Sequence, residues 1–213
     1  MKQSDNLHQR LKGKRLLIFD FDGTVADTSP LHAAAFAQVL APLGIAVDYP
    51  ALAGLKTLDA MRKCLADTGR EMPVEEIDTL VEAKQRLVRQ MIAKRLSPLP
   101  GVDEFLRWAG TRYRLSMATS GSRGTVQLAL KQLGYEGWFD PLVCADDVQH
   151  AKPDPEGFLT VLQITGIPAH EALVFEDSDA GFRAAGFAGL QFIDVRRDDW
   201  CAGFTGRGAS HGH

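Results

Sequence analysis

The 213-residue chain sets 24 Lys+Arg against 27 Asp+Glu, a formal net charge of −3 with a pI near 6.1. No sequence-wide positive field is therefore available to hold nucleic acid or an anionic membrane. With 45% hydrophobic and 24% charged residues, the composition is that of an ordinary globular chain, long enough for one domain or a domain with a modest insertion. Cys64, Cys144 and Cys201 are widely separated and show no paired spacing, so a reduced, cytoplasmic protein is the expectation, with a monomer as the default.

Residues 1–15 are polar, and Lys12, Lys14 and Arg15 read as a solvated basic flank with no apolar export segment. Leu16-Leu17-Ile18-Phe19 is an unbroken apolar run that stops at Asp20-Phe21-Asp22-Gly23-Thr24, as a buried strand entering a polar turn does. Residues 25–98 then contain no convincing strand. Ser29-Pro30 reads as an N-cap followed by Pro at the first helical position. Further helices are expected over 61–68, closed by Gly69, and over 73–96. In the last of these, Lys84 interrupts an apolar stripe that includes Ile77, Leu80 and Val88. It reads either as a lysine snorkelling from the stripe's edge or as a cation reaching a substrate anion.

From about residue 99, strands and helices alternate. Strands are expected over 115–118, 142–144, 172–175 and 190–195, and helices over 102–109, 125–133, 156–164 and 179–188. This is the pattern of an α/β fold, a Rossmann-like parallel sheet with helices on both faces. The core is expected over 1–25 and 99–200, an inserted helical cap over 26–98, and a flexible tail over 201–213, where His211 and His213 read as incidental.

In such sheets ligands bind beyond the carboxyl ends of the strands, where the polar clusters fall. Asp20 and Asp22 lie two apart at one strand end, and Asp177, preceded by Glu176, lies at another. Hard carboxylate oxygens gathered at one edge suit Mg²⁺. Thr119, Ser120 and Gly121 offer hydroxyls and N–H groups for phosphate oxygens. Lys152, in Lys152-Pro153-Asp154-Pro155, could neutralise a carboxylate and a phosphoryl group together.

These four segments, in their chain order and spacing, resemble the motifs of the haloacid dehalogenase-like superfamily over about residues 15–200. The helical insertion after the first motif is similar to the cap shared by β-phosphoglucomutase and small sugar-phosphate phosphatases. The phrases Asp27-Thr28 with His32 and Val174-Phe175-Glu176-Asp177-Ser178-Asp179-Ala180-Gly181 look most like the β-phosphoglucomutase and fructose-1-phosphate phosphatase branch. The resemblance implies that Asp20 is a nucleophile forming an aspartyl-phosphate and that Asp22 is the general acid and base. It implies Mg²⁺ on Asp20, the Asp22 backbone carbonyl and Asp177, with Glu176 behind them. It also implies phosphate binding by Thr119 and charge neutralisation by Lys152.

Phosphatase and phosphomutase share these motifs, and the cap decides between them. Mutases of this branch carry an arginine shortly after a cap glycine, whereas Gly54-Leu55-Lys56-Thr57-Leu58 has none, which favours a phosphatase and leaves Lys56 as a candidate cation. Lys84 and His32 are further candidate substrate contacts, His32 also a partner for Asp22. A non-catalytic binding module is the third reading, and its usual mark, loss of Asp20, Asp22 or Lys152, is absent. The expected partner is a small phosphorylated substrate, with fructose 1-phosphate, glucose phosphates and phosphoglycolate all open.

Overall fold

The computed structural model describes residues 4–197 together with Trp200 and Cys201. The first element is a helix that the reading of a polar flank does not include. Ser4–Leu11 is a helix, α1, because Leu7 and Leu11, four apart, fall on one face. Both are buried in the main core beside Leu17 and Phe19. Of the basic cluster, Lys12 is exposed, but Lys14 Nζ donates to the His170 carbonyl at 2.8 Å and Arg15 pairs with Glu171 at 2.9 Å.

Strand β1, Leu16–Phe19, is the centre of a five-stranded parallel sheet. Its partners are β2 (Arg114–Ala118), β3 (Leu142–Val143), β4 (Ala172–Glu176) and β5 (Gln191–Asp194), in the spatial order β3-β2-β1-β4-β5. All four residues of β1 are buried, and their alternation divides the core in two. Leu17 and Phe19 pack with α5 (Val102–Gly110) and α6 (Arg123–Leu133). Leu16 and Ile18 pack with α7 (Glu156–Thr165) and α8 (Asp179–Phe187) on the opposite face. Burying each such side chain contributes about 1.5–3 kcal/mol. Phe19 stacks on Phe175 at 4.7 Å, fixing β1 against β4.

Between β1 and α5 the chain forms a helical block of α2 (Ser29–Leu40), α3 (Thr57–Asp67) and α4 (Val74–Lys94). Ala26 and Pro98 form an antiparallel bridge, and Leu99 N donates to Val25 O at 3.0 Å, so the two crossings into the block lie side by side. The block has its own cluster, which includes Phe36, Leu40, Met61 and Ile77. Helix α4 belongs to both bodies: Ile77 packs in that cluster, whereas Val88 and Ile92 pack in the main core against which α6 lies. Lys84 falls between the two apolar stretches.

Local detail departs from expectation at two points, the cap of α2 and the C-terminal boundary. Helix α2 has Thr28, not Ser29, at its N-cap, without a side-chain capping bond, because the Thr28 hydroxyl is committed elsewhere. Asp146 and Asp147, after β3, are held locally: Asp146 accepts from Arg123 N at 2.6 Å, and Asp147 pairs with the Arg123 guanidinium and accepts from Cys144 N at 2.7 Å. At the far end, Trp200 packs on Phe105 and Phe175 with centroids 5.2 Å from each, and Cys201 is buried. The packed chain therefore runs past residue 200, and the rest of the expected tail, with His211 and His213, lies outside the described residues.

Candidate active site

The register of the sheet sets the site. Phe19 pairs with Met117 and with Phe175, so the residues that follow on the three strands emerge side by side at the carboxyl edge: Asp20 after β1, Thr119 after β2, Glu176 and Asp177 at the end of β4. Asp20 N donates to Phe175 O at 3.0 Å, which fixes where its side chain begins. Oxygens of Asp20, Glu176 and Asp177 lie within 4.8 Å of one another.

Lys152 comes from the loop before α7 and reaches into this group, with Nζ at 2.6 Å from both Asp20 Oδ1 and Glu176 Oε1. The other Glu176 oxygen accepts from Ser178 N at 2.6 Å and Ser178 Oγ at 3.0 Å. Ser178 Oγ in turn accepts from Gly181 N, capping α8. Both Glu176 oxygens are thus occupied, and Glu176 positions Lys152 and the Ser178 turn. Two glycines make room for the group. A Cβ on Gly181 would meet Glu176 Cδ at 1.9 Å, and one on Gly23, whose φ is +76°, would meet Asp177 Oδ2 at 2.1 Å.

Three buried or half-buried carboxylates share one ammonium. Burial pushes the Asp20 carboxyl well above the ordinary range, and Glu176, Asp177 and Asp22 add to this against the pull of Lys152. Burial and then Glu176 raise Asp177 to about 7, again against Lys152. The same carboxylates outweigh burial at Lys152 and raise it above its ordinary value. An excess of close carboxylate oxygens is the donor chemistry that a hard divalent cation neutralises, so the residues present fit Mg²⁺.

Asp22 is set apart. Its Oδ1 accepts from Thr28 Oγ1 at 2.5 Å and lies 3.3 Å from His32 Nε2. That second contact is a close approach without hydrogen-bond alignment, since Nε2 is buried with no aligned partner. Oδ2 faces the Gly121 backbone, where an added Cβ would lie 3.6 Å from it and 3.5 Å from Thr119 Oγ1. Burial works to raise the Asp22 carboxyl, but His32, Thr28 and Lys84 together outweigh it and lower the pKa to about 2. Two carboxylates two residues apart are therefore driven in opposite directions, which is how neighbouring acids acquire separate roles.

The helical block supplies the opposite wall. Lys84 is 2% exposed, which rules out snorkelling. Its Nζ lies 2.8 Å from His32 Nδ1, 3.4 Å from Thr57 Oγ1 and 4.5 Å from the centre of the Phe36 ring. Burial lowers its pKa to about 8, against the attraction of Asp22. Asp22, His32 and Lys84 form a line from the sheet edge into the block and line one cleft together with Asp20, Tyr49, Thr57, Gln85 and Asp177.

The remaining expected site residues divide. Thr119 is buried at the edge, and its Oγ1 accepts from Gly121 N at 3.1 Å. Ser120 lines the cleft, and its Oγ donates to Gly54 O at 2.7 Å, joining the sheet to the helical block. Lys56 is a second such tie: Nζ donates to Val148 O at 2.6 Å, and the residue is not among those lining the cleft. Thr28, Ser178, Tyr49 and Gln85 were not singled out as site residues. Thr28 stands in the phrase that carried the resemblance; Tyr49 and Gln85 give no local signal, because only the fold of the helical block brings them to the cleft.

Among the described residues no helix is long and apolar enough to cross a membrane. A sequence model of the haloacid dehalogenase-like hydrolases matches residues 17–195. The chain is 35% identical over 192 residues to the fructose-1-phosphate phosphatase YqaB of Escherichia coli, covering 89% of this chain and 99% of that one. It is 33% identical to a phosphorylated carbohydrates phosphatase of Thermotoga maritima, covering 83% and 82%. The crystal structure of CbbY from Rhodobacter sphaeroides in complex with phosphate superposes with a TM-score of 0.77 at 26% identity, covering 85% of each chain. The chain belongs to the haloacid dehalogenase-like hydrolase family, whose model spans its sheet, its carboxylate edge and the helical block between them.

Proposed function

We propose that the protein is a Mg²⁺-dependent phosphatase that hydrolyses a small sugar phosphate or similar phosphometabolite through an aspartyl-phosphate on Asp20. The observation that carries this reading is the separation of the two aspartates. Asp20 lies against Lys152 among the clustered carboxylates, whereas Asp22 is held outside that cluster by Thr28 and His32. The nature of the relatives, one a fructose-1-phosphate phosphatase and one a phosphorylated carbohydrates phosphatase, supports the choice of substrate class.

In this mechanism Lys152 Nζ holds Asp20 and offsets the repulsion between its carboxylate and the incoming phosphoryl oxygens. Asp20 attacks phosphorus, the bond to the alcohol oxygen breaks, and Asp22 gives that oxygen a proton. Asp22 is ionised in the resting protein; a phosphomonoester arriving as its monoanion, with a second pKa of about 6, brings the proton with it. Water then attacks the aspartyl-phosphate, Asp22 takes its proton, and phosphate leaves Asp20 as a carboxylate. Thr119 binds a phosphoryl oxygen. When bound, Mg²⁺ would be held by Asp20, Asp177 and the Asp22 carbonyl, and would neutralise charge shared by the carboxylates and the phosphoryl group.

The helical block acts as a cap that shields the intermediate from bulk water until the alcohol has left. The ties from Ser120 to Gly54 and from Lys56 to Val148 support a closed arrangement. The engagement of Lys56 also weighs against a mutase, since the cation in the stretch after Gly54 holds a core loop and not a second phosphate. The three cysteines are unpaired, in keeping with a reducing, cytoplasmic setting. The test is phosphate release from a panel of sugar phosphates, phosphoglycolate and phenyl phosphate, with Mg²⁺ and with chelator. Asp20→Asn should lower metal-dependent release on the order of 10⁴-fold or more; full release by that variant overturns the mechanism.

A further inference from the structure

The wall that the helical block gives to the cleft carries two polar side chains that the steps above leave unused. Tyr49 opens the short turn before α3, and its ring leans on His32 and Phe36 with centroids 6.4 and 6.3 Å away. Gln85 follows Lys84 on α4. Both are half-buried and line the cleft, and among the described residues neither the Tyr49 hydroxyl nor the Gln85 amide makes a hydrogen bond within the protein. Burial, and then Asp22, Asp177 and Asp20, hold the tyrosine hydroxyl in its protonated form, so it is a donor.

The lysine on this wall, Lys84, already faces His32 Nδ1, and no arginine lines the cleft among the described residues. A second phosphate on the substrate would find no free cation here. Neutral hydroxyl groups would find a donor at Tyr49 and both a donor and an acceptor at Gln85. We propose that Tyr49 and Gln85 are the specificity-determining residues of this chain, hydrogen-bonding hydroxyl groups on the alcohol portion of the substrate.

This inference rests on the reading of the cleft as a sugar-phosphate phosphatase site. A polar group left unpaired when a hydroxyl is missing makes such positions discriminating. The experiment compares kcat/KM for fructose 1-phosphate or a glucose phosphate with that for phenyl phosphate in the parent, Tyr49→Phe and Gln85→Leu proteins. The ratio of the two constants should fall about tenfold in each variant, and a sugar phosphate lacking the hydroxyl read by one residue should be insensitive to that residue's substitution. A ratio within about twofold of the parent's in both variants overturns the inference alone. A parent protein with no preference for any sugar phosphate over phenyl phosphate overturns the sugar-phosphate reading and the inference with it.

Discussion

Lys152 at the sheet edge and Lys84 in the helical block are both buried, 8% and 2% exposed, yet their surroundings differ in kind. Lys152 touches two carboxylates, which outweigh burial and raise its pKa. Lys84 touches an imidazole nitrogen, a hydroxyl and an aromatic face, and burial lowers it to about 8. The first is the counter-charge of two buried carboxylates. The second is held at a cost that its local contacts do not repay, as groups kept for function often are.

The sign of this difference can be tested directly. A lysine raised above its unfolded value stabilises the fold below that value and loses the effect as pH rises through the folded pKa; a lysine lowered to about 8 costs stability at neutral pH. Lys152→Met should therefore destabilise by about 3–5 kcal/mol, because Asp20 and Glu176 are left buried without a counter-charge. Lys84→Met should leave the denaturant midpoint unchanged or higher. Equal losses in urea unfolding would erase the distinction.

Catalysis should also respond at Lys84, though less than at Asp20. Lys84→Met removes the partner of His32 Nδ1, and with it the line that holds Asp22. Loss of positioning of this sort costs about 10–10²-fold in kcat/KM. Because His32 and Lys84 help to lower Asp22, the acid limb of the pH–rate profile should move upward as well. An unchanged profile would mean that Lys84 only fills space.

The smallest effect concerns the carboxylates. Asp177, raised to about 7 from 3.8, binds its proton more tightly in the folded protein, so the metal-free protein loses stability as pH rises between those two values. Asp22, lowered to about 2, contributes in the opposite sense and only below that window. The gain in thermal midpoint on adding Mg²⁺ should therefore grow from pH 5 to pH 8, since the cation displaces a proton at low pH and relieves repulsion at high pH. A gain independent of pH would separate Asp177 from the metal.

The same two regions differ in how far they could be read beforehand. Asp20, Glu176, Asp177 and Thr119 were legible because each follows an apolar run within one or two residues, and a parallel sheet brings such strand ends together whatever the intervening chain does. The helical block was legible as helices through its apolar spacing, but its chemistry was not. Lys84 showed as an anomaly in a stripe, whereas its partner His32 lies 52 residues away. Thr28 is missing as a side-chain cap because Asp22 recruits its hydroxyl. Helix α1 was missed because Leu7 and Leu11 make only a two-residue apolar face in a polar stretch.

The nucleophile is the centre of the account, and it can be caught on the protein. In Asp22→Asn the residue proposed to activate water is gone, while p-nitrophenyl phosphate needs no proton for its leaving group. The parent mechanism then predicts a rapid burst of about one nitrophenol per chain, with one phosphoryl group retained on the peptide that holds Asp20 in an acid-quenched digest. Nitrophenol and phosphate released in step, with no phosphoryl group on Asp20, would contradict it.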